Sequence, residues 1–127
     1  MGDDPGRTYR ATIRPFLEAW QQPGALERTV RTMDEQSVPA EVPLRAHWRE
    51  ILVHGWDLAT AIGRSAPFDD AGVEACLQSI TGTPAIRPSG IGYANAVPAP
   101  DHAPPIVRLA AFYGRDITAW PAPDASS

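Results

Sequence analysis

Apolar residues fall along this chain in stretches of helical period separated by proline- and glycine-rich breaks. Tyr9, Ile13, Phe16, Leu17 and Trp20 stand at offsets of 4, 7, 8 and 11 residues, the spacing of one stripe along an α-helix. Asp4 is placed to cap that helix and Pro5 to occupy its first position, where a missing N–H costs nothing. Pro15 removes one hydrogen bond from the interior and predicts a kink, and Pro23-Gly24 ends the element. Residues 25–36 mix polar and β-branched side chains (Thr29, Val30, Thr32), which suits an extended connection or a short hairpin rather than a helix.

A longer helix is predicted from Ser37 or the Pro39 region to about Ile62, with Gly63 as its left-handed stop. Leu44, Trp48, Ile51, Leu52, Leu58, Ala59 and Ile62 recur in it at helical spacing, and His47, Glu50, His54 and Asp57 are interleaved among them. A shorter helix follows from an Asp69 or Asp70 cap through Val73, Cys76, Leu77 and Ile80. Residues 81–105 hold Pro84, Pro88, Pro98, Pro100, Pro104 and Pro105, a density that blocks helix and central strand alike. Pro104-Pro105 then opens a last short helix, Ile106 to Tyr113, stopped by Gly114. The pattern predicts an all-α protein, a single domain in which residues 1–63 supply the bundle helices and 64–127 the C-terminal helices and loop.

Composition narrows the function classes. The 127 residues are 43% hydrophobic, enough for a modest core, and the net charge is -4. All eleven basic residues are arginine and they are scattered, so no clustered basic face offers itself to nucleic acid. Cys76 is the only cysteine, which excludes an internal disulfide and a thiolate zinc cluster and fits a reducing cytoplasm. At an apolar helical position it reads as a small buried hydrophobe. No apolar run approaches the roughly 20 residues needed to span a bilayer, and the acidic opening is unlike a secretory signal.

The chemistry-bearing residues lie on the long helix. Successive helical residues turn by about 100°, so Glu50 and His54 share a face about 6 Å apart. A carboxylate and an imidazole one turn apart can reach a single divalent ion, and helical bundles build such sites by pointing ligands inward from several helices. Asp57, a turn further on, is placed to orient the imidazole. The plain alternative is a solvated hydrogen-bonded pair, but flanking by Ile51, Leu52, Val53 and Trp56 favours an inward-facing strip. His47 is separated from His54 by about 10.5 Å of helix rise, too far to share the ion. His102, beside Asp101 in the proline-rich loop, reads as a solvated capping group. Trp20, Trp48, Trp56 and Trp120 read as core and seam residues, with Trp48 and Trp56 available to wall a metal pocket.

The run Glu50-Ile-Leu-Val-His-Gly-Trp-Asp-Leu-Ala-Thr-Ala-Ile-Gly63 resembles the signature of the actinobacterial metal-binding family related to mycothiol-dependent maleylpyruvate isomerase, within the DinB-like superfamily. The opening GDDPGRTYRATIRPFLEAWQQPGALERTV and the close VPAPDHAPPIVRLAAFYGRDITAW resemble the segments that flank it there. The resemblance implies the later half of a four-helix bundle holding one divalent ion, zinc as a rule, with Glu50 and His54 as the Glu-x-x-x-His ligands. It implies a small-molecule or thiol substrate, with mycothiol as a candidate cofactor. A further family histidine, in a stretch ending in His-Leu on an earlier helix, has no counterpart here. The expectation is therefore a chain lacking the first two bundle helices, with exposed apolar stripes that favour a homodimer. Three readings stay open: a metal-dependent isomerase or transferase, a non-catalytic DinB-like metal-binding or interaction module, and a remnant without metal.

Overall fold

The computed structural model describes residues 4–83, 85–86 and 93–119. Among these residues four α-helices dominate, α1 (Pro5–Trp20), α2 (Glu41–Ala61), α3 (Asp70–Ser79) and α4 (Pro105–Phe112), with a two-stranded sheet of β1 (Thr29–Arg31) and β2 (Ser37–Pro39) and a 3-10 turn at Ile117–Ala119. The chain divides into two compact units, Met1–Ala46 and His47–Ser127.

In the first unit, Asp4 caps α1 by accepting from the Arg7 N–H at 2.9 Å, with Pro5 at the helix start. The backbone stays helical through Pro15. None of the α1 residues is buried, and Tyr9, Phe16 and Leu17 of its apolar stripe are exposed. The described residues are mostly helical, as expected, and the hairpin, one of the two readings open for residues 25–36, qualifies the all-α expectation. Thr29 pairs with Pro39, Val30 with Val38 and Arg31 with Ser37, so Ser37–Pro39, expected as the start of the long helix, is strand instead. Thr29, Val30 and Val38 are β-branched and fit the pleat better than a helix. The 32–36 loop is closed by bonds from Thr32 N to Gln36 O and from Glu35 N to Thr32 O, both 2.9 Å. Helix α2 starts only after Ala40 and Glu41 have donated to the Arg28 and Leu26 carbonyls at 2.7 and 3.0 Å.

The second unit holds the main core. Leu52, Val53 and Trp56 of α2, Val73 and Cys76 of α3, Ile80 at its end, Ile106, Val107, Leu109 and Ala110 of α4, and Tyr113 at its end form one buried cluster. Each large aliphatic side chain fully buried there contributes about 1.5–3 kcal/mol. Helices α3 and α4 are tied by an ion pair from Arg108 to Glu74. Phe68 packs on the cluster and lies across Gly55, where a Cβ would stand 2.4 Å from its ring. A mid-helix glycine costs about 1 kcal/mol against alanine, and this close approach is what requires it. The Cys76 thiol is buried, and burial pushes its pKa up.

Helix α2 has three faces rather than the two that its apolar pattern suggests. One carries Leu52, Val53, Trp56 and Ala59 into the core. A second carries Glu50, His54 and Asp57. The third, Ile51, Leu58 and Ile62, was grouped with the core by its spacing but is 48%, 64% and 61% exposed. The described parts of residues 81–104 contain no helix or strand, as the prolines predict, and α4 begins at Pro105. Trp120, expected in the core, lies outside the described residues, as do Pro84 and Pro88.

Candidate metal centre

Glu50, His54 and Asp57 project from one face of α2, as the 100° step requires. The imidazole of His54 lies between the two carboxylates. Its Nε2 is 3.1 Å from Glu50 Oε2 and its Nδ1 is 3.0 Å from Asp57 Oδ2. The two predicted ligands are thus side by side, and the residue expected to orient the ring is on the opposite nitrogen. Because Asp57 sits behind the ring, the three groups cannot converge on one ion. Among the described residues no three His, Cys, Asp or Glu side chains do so. The strip is also less enclosed than expected: the His54 and Glu50 side chains are 60% and 48% exposed. Trp56 belongs to the core beneath it, and Trp48 is half-buried beside that core.

Two residues that the sequence reading did not single out complete the cluster. The Tyr93 hydroxyl donates to Glu50 Oε1, the oxygen turned away from His54. Arg115 grips Asp57 with both ends of its fork, Nε to Oδ1 at 3.0 Å and Nη2 to Oδ2 at 2.7 Å, while Nη1 donates to the Tyr113 carbonyl at 3.0 Å. The Arg115 guanidinium also lies 5.2 Å from the centre of the Tyr93 ring. Tyr93 and Tyr113 pack with ring centres 4.3 Å apart, tilted by 57°.

The end of α4 explains how residues so distant in sequence meet. Gly114 N–H bonds to the Ala111 carbonyl and Arg115 N–H to the Ala110 carbonyl, the paired bonds of a Schellman motif. Gly114 takes the left-handed conformation the motif needs, φ 78°. A Cβ on it would fall 2.6 Å from Ala94 Cβ and 2.8 Å from the Asn95 carbonyl oxygen. Glycine therefore lets the segment just after Tyr93 close against the turn that launches Arg115. A bond from Val97 N–H to the Ala111 carbonyl, 2.9 Å, fixes the same approach.

These contacts set the local charges. The Arg115 hydrogen bonds hold the Asp57 carboxyl below its usual value, with His54 adding to the effect and partial burial opposing it. Asp57 in turn raises Arg115, which stays a cation. Burial, then the hydrogen bond to Glu50 and its charge, push the Tyr93 phenol upward, so at neutral pH it is a donor and not a phenolate. A carboxylate oxygen and an imidazole nitrogen side by side, the second nitrogen anchored by a carboxylate, match the donor types of a zinc-like ion and its surroundings. The donor set fits two positions of such an ion's coordination sphere.

An uncharacterized protein of Mycobacterium tuberculosis, MT0763 in strain CDC 1551 / Oshkosh and Rv0738 in strain ATCC 25618 / H37Rv, is 34% identical to this chain over 112 residues. The match takes in 86% of this chain and 60% of the relative, so the chain spans about three fifths of the length of the relatives it matches. No family model matches the chain, and no solved structure gives a significant match.

Proposed function

We propose that this chain binds a divalent metal ion, zinc by choice of donors, through Glu50 and His54, in the manner of the DinB-like proteins related to mycothiol-dependent maleylpyruvate isomerase. The observation that carries the reading is the pairing of Glu50 Oε2 with His54 Nε2 at 3.1 Å while Asp57 holds Nδ1. Asp57 orients the ring and Glu50 supplies the anionic ligand; remaining positions on the ion fall to water, substrate or a further segment of a longer protein. When bound there, such an ion would supply Lewis acidity toward a carbonyl or toward a thiol such as mycothiol, the chemistry of an isomerase or transferase acting on a small molecule in the cytoplasm. The second reading, a non-catalytic binding or interaction module, draws on the exposed apolar residues of α1 and α2.

Elemental analysis of the purified chain beside His54→Ala and Glu50→Ala tests the metal reading. About one equivalent of metal in the parent, lost from both variants, is expected. Metal-free parent protein after growth in zinc-supplemented medium, or equal metal in all three, would sink it. A thiol-dependent isomerase assay of metal-loaded protein, with mycothiol as the thiol, then separates enzyme from module.

A further inference from the structure

We propose that Tyr93 is a positioning residue of the candidate metal centre, holding the far oxygen of the Glu50 carboxylate so that the near one faces the ion shared with His54. This rests on the metal-binding reading above.

Glutamate is a poor ligand until its long side chain is fixed, because the entropy lost in ordering those rotamers opposes binding. Where the fixing contacts are already made, less of that cost falls on metal binding. Here they divide cleanly. Tyr93 donates to Oε1, and Oε2 alone lies beside the imidazole. The phenol is itself held, by the Tyr113 ring at 4.3 Å and the Arg115 guanidinium at 5.2 Å. Arg115 in turn holds Asp57, and Asp57 holds the other nitrogen of His54. The contacts close on themselves: Tyr93 to Glu50, Glu50 to His54, His54 to Asp57, Asp57 to Arg115, Arg115 back to the Tyr93 ring. Both candidate ligands are thus backed by side chains from beyond α3, and Tyr93 supplies the hydroxyl on Glu50. Hydrogen-bonded partners of this kind are worth about 10–100-fold in metal affinity where they have been removed from other sites.

Tyr93→Phe removes the hydroxyl and keeps the ring that packs on Tyr113 and Arg115, so it separates positioning from packing. The full chain is stripped with chelator and titrated with Zn(II) by calorimetry and with Co(II) by visible absorption, as parent, Tyr93→Phe and His54→Ala. The expected result is a Zn(II) dissociation constant raised about tenfold or more in Tyr93→Phe, an altered Co(II) spectrum, and no binding by His54→Ala. The melting temperature of metal-free Tyr93→Phe should stay close to the parent's, which a purely structural role for the hydroxyl would not allow. The Zn(II)-induced rise in melting temperature, read in the same samples, reports the coupling even for a destabilised variant. A Tyr93→Phe affinity within about twofold of a metal-binding parent overturns the positioning role alone. A parent that takes up neither ion overturns this inference and the metal reading together.

Discussion

Replacing Gly114 by alanine should cost the His47–Ser127 unit much more than the same change at Gly63, although the two glycines do the same backbone work. Both end helices in the left-handed region, at φ 78° and 66°. Each is followed by an N–H that reaches back to the last turn, Arg115 to Ala110 at 3.0 Å and Arg64 to Ala59 at 2.9 Å. A Cβ in that conformation costs about 1–2 kcal/mol, offset by about 0.4–1 kcal/mol because alanine has less freedom to lose from the unfolded chain. For Gly63, with nothing within 4 Å of the added carbon, that is the whole effect, about 1 kcal/mol. Gly114 adds contacts at 2.6 and 2.8 Å with Ala94 and the Asn95 backbone. Relieving them means moving main chain, and overpacking of this kind costs about 1–3 kcal/mol more. Urea unfolding followed by far-UV circular dichroism measures both variants against the parent. Equal losses, within about 0.5 kcal/mol, would show that the Tyr93 segment does not close on the α4 turn. The account of how Tyr93 and Arg115 reach α2 would then fail.

Three further outcomes follow from the packing. Leu109, with no exposed surface, should cost about 2–5 kcal/mol as Leu109→Ala, read from the same urea curves; a loss under about 1 kcal/mol would mean that α4 is not seated in the core. Cys76 should react slowly with a thiol reagent in native protein and rapidly in denaturant, since burial removes access and raises its pKa. Because that folded-state pKa is raised, the thiol contributes stability at neutral pH that is lost as pH climbs through and beyond its ordinary value of 9.0; fast native labelling near pH 7 would contradict this. Finally, the exposed Tyr9, Phe16 and Leu17 on α1 should drive self-association, and Leu17→Glu should shift light-scattering mass toward the monomer; a parent already monomeric at micromolar concentration would refute it.

Helix positions were readable because local rules set them. Asp4 and Asp69 cap as their side chains allow, and Gly63 and Gly114 stop helices where apolar periodicity ends. The hairpin was legible only as one of two readings, an extended connection or a short hairpin within residues 25–36, and without its pairing. Its second strand takes Ser37–Pro39, and the proline there looks like a helix start until the pairing of Val38 with Val30 is known. Strand pairing is a non-local fact, and a helix-start signal three residues long does not outweigh it.

The site was half legible for the same reason. Glu50, His54 and Asp57 lie within two turns of one helix, so the 100° step alone brings them together. Tyr93 and Arg115 stand 43 and 58 residues from the carboxylates they hold, and no period connects them. Arg115 carried a faint signal, the first side chain after a helix-stopping glycine; Tyr93 carried only that of the single Tyr, Phe or Trp in residues 81–104. The periodicity also hid the exposure of Ile51, Leu58 and Ile62, because spacing gives a side chain's direction around α2 and not whether anything covers it. Those three residues lie on the flank of α2 next to the Glu50–His54 strip. Any element that covers them would therefore arrive beside the two candidate ligands, where a third would have to stand.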